Sequence, residues 1–196
     1  ERYLVRWGGT RKGSGTFYTK PQLAAPTVAR TLRPLAYRDV QPDDPLNAAK
    51  TPRLPEEILS EKVCDPGCGS GSFLVGSLKY LTDALYESLN VHGRLTDEWQ
   101  QRPLPEILGV SSGGEEESLS AERLPCRPED SEFEPRLKAV LRRYVVERCI
   151  YGVDLDPLAV ELCRLALWIE TLDRHLPFSF IDHKIKCGNS LVGAWF

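Results

Sequence analysis

The segment Asp65-Pro66-Gly67-Cys68-Gly69-Ser70-Gly71-Ser72-Phe73-Leu74 concentrates the residue types that can hold a small ligand. Three glycines in five positions let the backbone turn tightly and approach a bound group with no Cβ in the way. A strong helical pattern begins directly after it, so free N–H groups at a helix start add to the turn. Two phosphate-binding readings fail. No Gly-Lys-Ser/Thr is present here, as a P-loop requires, and position 72 is serine where G-x-G-x-x-G needs glycine. Asp65, just ahead of the turn, repels a pyrophosphate and attracts a cationic or amine-bearing group. The turn points to a nucleotide-like ligand carrying such a group. A tight structural turn is the plainer alternative, and it needs fewer glycines.

A second carboxylate, Asp154, stands after Tyr151-Gly152-Val153. An acidic side chain at the end of a second strand can accept two hydrogen bonds from ribose hydroxyls. Asp156 competes for that role, but Pro157 comes directly after it, and Asp156 reads better as the cap of the next helix. Asn189 closes the segment Ile185-Lys186-Cys187-Gly188, where its amide could read an adenine edge. Gly-Asn is equally a common turn. The basic stretch from Arg11 to Pro21 enters a helix and is placed to close over a ligand, or to be a solvated leader.

Periodicity and punctuation give the helices and strands around these groups. Pro21 to about Leu35 reads as a helix with Thr19 as its cap. Lys62–Asp65 reads as a strand end. Phe73, Leu74, Leu78, Leu81, Leu85 and Leu89 recur at three and four, which predicts a helix over 72–90. A shorter helix with a basic face is expected at 137–147, a strand over 149–153, a helix from Pro157 to about Leu172, and a third strand over 183–187. Strands alternating with helices predict a parallel α/β sheet.

The chain has 196 residues and a net charge of −3, with 41% apolar residues, enough for one domain with a core. The balance is set by one block: residues 93–135 carry 4 basic and 11 acidic side chains, and residues 1–62 carry 11 basic and 7 acidic. The block also holds Gly113-Gly114 and several prolines, so 93–134 is expected to be an irregular insertion. Residues 1–35 read as a cofactor-closing segment and helix, 36–60 as a linker, and 61–196 as the domain proper. The six cysteines form no C-x-x-C pair and read as free thiols, with Cys64, Cys149 and Cys187 buried in strands or their approaches. No metal site is expected. Neither a membrane span nor an export leader is visible, and a cytoplasmic location is expected.

In this order the segments resemble the class I S-adenosylmethionine-dependent DNA adenine-N6 methyltransferases, of the large restriction–modification and phage-defence type. Gly15-Thr16-Phe17-Tyr18-Thr19-Lys20-Pro21 is similar to that family's N-terminal G-x-[FY]-[YF]-T-P segment, with Lys20 inserted. Asp65–Leu74 resembles its D-P-x-C-G-S-G-x-F-L signature. Tyr151–Pro157 with Ala159 resembles [FY]-G-x-[DE]-[IL]-[DN]-P-x-A. Ala166-Leu167-Trp168 and Lys186–Leu191 are similar to the family's later segments. The resemblance implies a Rossmann-like sheet with S-adenosylmethionine as cofactor and double-stranded DNA as partner, together with other subunits of a defence system. It implies that Tyr18 and Thr19 hold the methionine moiety. Asp65 and the backbone of Gly67, Gly69 and Gly71 cradle it, with Asp65 facing its ammonium. Asp154 takes the ribose hydroxyls and Asn189 the adenine, and Phe73 and Leu155 complete the cofactor-binding set.

One family feature is missing. The catalytic tetrad [DNS]-P-P-[FYW] would polarise the target amine and stack on the flipped base. No Pro-Pro occurs in this sequence, and there is no methionine, even at position 1. The chain is therefore expected to be part of a longer enzyme, with the later strands of the sheet absent, and not to methylate by itself. Two alternatives stay open: a non-catalytic module binding cofactor or DNA, and a methyltransferase of another substrate class.

Overall fold

The computed structural model of the protein describes residues 19–38, 50–96, 99, 101–110, 123–171 and 181–192. The expectations for Tyr18 and for 111–122 lie outside these residues.

Helix α1 spans Pro21–Ala36 and buries Ala24, Val28, Leu32 and Ala36, one face at helical spacing. Thr19 does not cap it. The cap position is Lys20, whose carbonyl accepts the N–H groups of Leu23 (2.9 Å) and Ala24 (3.1 Å). Pro21 at the first helical position already has the φ a helix needs and has no N–H to satisfy.

Residues 36–60, expected as a linker, carry two short strands and a helix among the described residues. Strands β1 (Tyr37–Arg38) and β2 (Thr51–Pro52) pair antiparallel, and Pro55–Ser60 forms helix α2 with Ile58 and Leu59 buried. The Tyr37 hydroxyl donates to Glu87 Oε2 at 2.7 Å, and Ser88 Oγ donates to the Arg53 carbonyl at 2.6 Å. These bonds dock the small ladder on the next long helix. Burial, and then the Glu87 carboxylate, hold the Tyr37 phenol well above its ordinary pKa.

Strand β3 (Val63–Asp65) leads through the glycine-rich turn into α3 (Ser72–Val91). The apolar stripe read from the sequence is the core seam: Leu74, Leu78, Leu81, Leu85 and Leu89 are fully buried. Burying a leucine contributes about 1.5–3 kcal/mol, so this stripe anchors α3 between α1 and the later helix Phe133–Cys149.

The 93–134 block is not wholly irregular. Helix α4 (Leu104–Ile107) seats Leu104, Ile107 and Leu108 fully inside the core. Arg94 Nη1 donates to the Ile107 carbonyl (2.9 Å) while Nη2 donates to Glu56 (2.9 Å), tying α4 to α2. A four-residue helix is too short to show a period, so its burial was illegible in the sequence. Leu108→Ala is therefore expected to cost about 2–5 kcal/mol in urea unfolding. A loss below about half a kilocalorie would place this stretch outside the cooperative core.

Helix α5 runs Phe133–Cys149, four residues earlier and two later than expected, with Leu137, Leu141, Tyr144, Val145 and Val146 in the core. Cys149 ends this helix and does not begin a strand. Strand β4 (Ile150–Asp154), helix α6 (Pro157–Thr171) and strand β5 (Ile185–Cys187) complete the described elements. The three later strands form a parallel sheet in the order β3-β4-β5, with Cys64 opposite Tyr151 and Val153 opposite Lys186. This is a small mixed α/β domain consistent with a partial Rossmann-like topology. No helix among the described residues is long and apolar enough to cross a membrane.

Candidate functional site

The site lies where β3 and β4 end, side by side in the parallel sheet. The chain leaves β3 at Asp65, whose Oδ1 accepts the Gly67 N–H at 3.0 Å. Such an Asx-type bond starts a turn locally. The turn then crosses toward β4: the Cys68 N–H donates to the Val153 carbonyl at 3.0 Å. Gly69 (φ 52°) and Gly71 (φ 89°) both take left-handed backbone, which explains glycine at these two positions. Gly67 needs no such conformation, and a Cβ there would meet open space.

Asp154 is the hub. It is only 9% exposed, and both carboxylate oxygens accept backbone donors. Oδ2 takes the Gly69 N–H at 2.8 Å, and Oδ1 takes the Asp156 N–H at 2.9 Å. One side chain at the end of β4 thus sets the glycine-rich turn and the start of α6. Its backbone carbonyl also accepts the Gly188 N–H at 2.9 Å, joining the loop after β5. Asp156 performs the capping role expected of it, with Oδ1 accepting the Leu158 N–H at 3.0 Å.

Asn189 is exposed, and its side-chain oxygen accepts the N–H groups of Leu191 (3.0 Å) and Val192 (3.2 Å). That use leaves its amide nitrogen, a donor, as the group available to a ligand. Its neighbour Ser190, absent from the sequence-derived set, donates to the Pro66 carbonyl at 2.7 Å and pins the third loop to the first. Leu155 is exposed beside Asp154, and Thr19 is half-buried just ahead of α1.

A cleft of about 210 Å³ runs between α1, the outer edge of β3 and α3. Thr27, Thr31, Val63, Asp65, Phe73 and Ser77 are among its lining. It takes in Asp65 and Phe73 but not Asp154, Leu155 or Asn189. The expected residues therefore divide into a cleft wall and a rim along the strand ends, with the glycine-rich turn between.

Two thiols beneath the turn were not legible as site residues. Cys68 and Cys163 are both buried, and a Cβ on Gly71 would stand 2.8 Å from Cys163 Sγ. Cys64 and Cys187, expected to be buried, are exposed, because each strand presents alternate residues to opposite faces and these are edge strands of the described sheet. Cys149 is buried and its thiol is pushed up to about 12 by desolvation. Native alkylation with iodoacetamide near neutral pH should label Cys64 and Cys187 first and spare Cys149 and Cys163 until the chain unfolds. Peptide mass spectrometry reads the order, and early labelling of Cys149 would refute this packing. Among the described residues no group of three or more His, Cys, Asp or Glu is arranged to hold a metal ion.

The fold is a small mixed α/β domain whose glycine-rich turn and Asp154 lie at the carboxyl ends of adjacent parallel strands. Sequence comparison adds distant, partial similarity to type II restriction–modification methyltransferases. The chain is 24% identical, in an alignment 216 positions long that takes in 93% of the chain, to a protein of Methanocaldococcus jannaschii provisionally named a type II restriction enzyme and methyltransferase. It is 26% identical, in an alignment 147 positions long that takes in 70% of the chain, to a type II restriction enzyme and methyltransferase of Escherichia coli. The aligned parts span 15% and 12% of those two relatives. No family model matches the chain, and no solved structure matches it.

Proposed function

We propose that this chain is the S-adenosylmethionine-binding part of a site-specific DNA adenine-N6 methyltransferase acting in restriction–modification or phage defence. The observation that carries the reading is the placement of Asp65 and Asp154 at the ends of adjacent parallel strands, with a turn of left-handed glycines between them that Asp154 holds at Gly69. The distant similarity to restriction–modification methyltransferases supports the same reading.

The donor set suits the cofactor. Asp65 commits one oxygen to Gly67, leaving the other for an ammonium. Gly67 leaves open space beside it. Asp154 keeps a lone pair on each oxygen, and ribose hydroxyls would share it with, or displace it from, the Gly69 N–H. Asn189 offers its amide nitrogen as a donor to an adenine ring nitrogen, since its oxygen is already engaged. Tyr18, Thr19, Phe73 and Leu155 are assigned to the walls around the methionine and adenosine moieties. When bound, the cofactor supplies a methyl group on a sulfonium. The residues of this chain hold and orient it, and double-stranded DNA is the substrate of the longer protein.

Calorimetric titration tests the cofactor directly. S-adenosylmethionine should bind saturably to the 196-residue chain, and NADH should not. Binding of NADH in its place, or failure of the full-length protein to bind S-adenosylmethionine, overturns the reading. Nucleoside mass spectrometry of DNA treated with the full-length protein should then show N6-methyladenine; another methylated product would reassign the substrate.

A further inference from the structure

Helix α6 has two distinct faces. Ala159, Val160, Cys163, Leu167 and Thr171 are buried and turn one face to the core. Leu158, Leu162, Leu165 and Ile169 lie on the opposite face and are 67, 47, 41 and 49% exposed. Spacings of four, three and four residues keep these side chains in one line along the helix. A single exposed leucine is ordinary on a protein surface, whereas a continuous apolar strip marks an interaction site. The acids nearest the strip are neutralised within the chain. Glu161 pairs with Arg164 at 2.7 Å, and Glu170 pairs with Lys79 at 2.8 Å. Ala159 and Ala166 border the strip on one side, and their small side chains let a second helix approach closely.

We propose that this strip is a dimer interface, covered by the same strip of a second copy of the chain packed antiparallel to it about a two-fold axis. The spacing reads the same in both directions, which makes the strip self-complementary. With the axis between Leu162 and Leu165, Leu162 meets the partner's Leu165 and Leu158 meets the partner's Ile169. Antiparallel packing also sets the N-terminus of each helix beside the C-terminus of the other, the favourable arrangement of their dipoles.

The area agrees with a second copy as the occupant. The four side chains expose about 400 Å² of apolar surface per protomer. A standard interface buries about 800 Å² per partner, of which about 57% is non-polar. The strip supplies nearly all of that apolar share, and the paired charges around it supply a polar rim. Helix α6 starts at the Asp156 cap, just after Asp154. The dimer therefore sets the two strand-end sites at opposite ends of the helix pair, about 20 Å apart along its axis at about 1.5 Å per residue.

The test uses the full-length protein. Gel filtration with light scattering at about 50 μM should give twice the monomer mass, since interfaces of this size reach at least micromolar affinity. Leu162→Glu combined with Leu165→Glu sets carboxylates against one another in the middle of the paired strips. It should raise the dimer Kd by about a hundredfold or more. Both side chains already face solvent, so the melting curve followed by circular dichroism should not move. If the double variant melts early, Leu158→Lys at the end of the strip decides, again by loss of the dimer. Leu191→Glu, an exposed change outside α6, should leave the dimer intact. Mixing Leu162→Cys with Leu165→Cys protein should give disulfides between the two variants and not within either one. A monomeric wild type, a dimer that survives the α6 substitutions, a dimer that Leu191→Glu dissolves equally well, or links between identical positions overturns the proposal. None of these readouts uses S-adenosylmethionine, so the dimer stands or falls apart from the cofactor reading.

Discussion

Asp154→Ala is expected to lower the free energy of unfolding by about 3 kcal/mol and to reduce S-adenosylmethionine affinity in whatever fraction remains folded. The carboxylate accepts two backbone N–H groups, from Gly69 at 2.8 Å and from Asp156 at 2.9 Å, in a nearly closed environment. Hydrogen bonds to a charged group contribute about 1.5–3 kcal/mol each, and a buried donor left without a partner costs about 1–3 kcal/mol. Alanine removes both acceptors at once. Water entering the gap offsets part of the loss, which keeps the expectation near the lower half of the combined range. Asp154→Asn should fall between wild type and alanine. Its carbonyl oxygen replaces one acceptor, but its NH₂ faces the other N–H as a second donor. Urea unfolding gives the stability term, and calorimetry on the folded variant gives the ligand term, expected at about 1–3 kcal/mol if ribose hydroxyls bind there. An alanine variant as stable as wild type would mean that Asp154 does not hold the turn. A stable variant with unchanged affinity would remove Asp154 from the cofactor site.

The second large effect is expected at Gly71. Its φ of 89° lies in the left-handed region, and an added Cβ would approach Cys163 Sγ to 2.8 Å. Left-handed backbone costs an L residue about 1–2 kcal/mol. The clash adds overpacking of about 1–3 kcal/mol, because Cys163 is fully buried on a helix and has little room to retreat. Gly71→Ala should therefore lose about 3 kcal/mol in total. The two causes separate in a double-mutant cycle. Cys163→Ala deletes the sulfur that the new Cβ meets, so in that background the cost of Gly71→Ala should fall to about 1–2 kcal/mol, the backbone contribution alone. An undiminished cost would show that strain at φ, and not contact with Cys163, sets its size. Gly67→Ala serves as the control, since a Cβ there meets nothing within 4 Å. Its effect should stay within about half a kilocalorie.

Local features were legible in the sequence alone. The leucine stripe of α3 was legible because one period of hydrophobic residues runs through the whole helix and the core needs just that face. The glycine-rich turn was legible because few residue types tolerate its backbone, and Asp156 as a cap was legible because Pro157 stands next to it. The parallel order of strands and helices came from their alternation. Other features arise only on folding, because they join groups far apart along the chain. Helix α4 lies in a charged, proline-rich block, yet Leu104, Ile107 and Leu108 fill the core; the burial of so short a segment depends on what surrounds it, and carries no period of its own. Cys64 and Cys187 are exposed because the described sheet leaves their strands at its edges, which no single strand reveals. Residue type and place after Tyr151-Gly152-Val153 make Asp154 a candidate ligand acceptor in the sequence; only folding engages both its oxygens with the backbone, so that it builds the turn. The approach of Cys163 to Gly71 belongs to the same class, since only the packing of α6 under the turn brings that sulfur to the glycine.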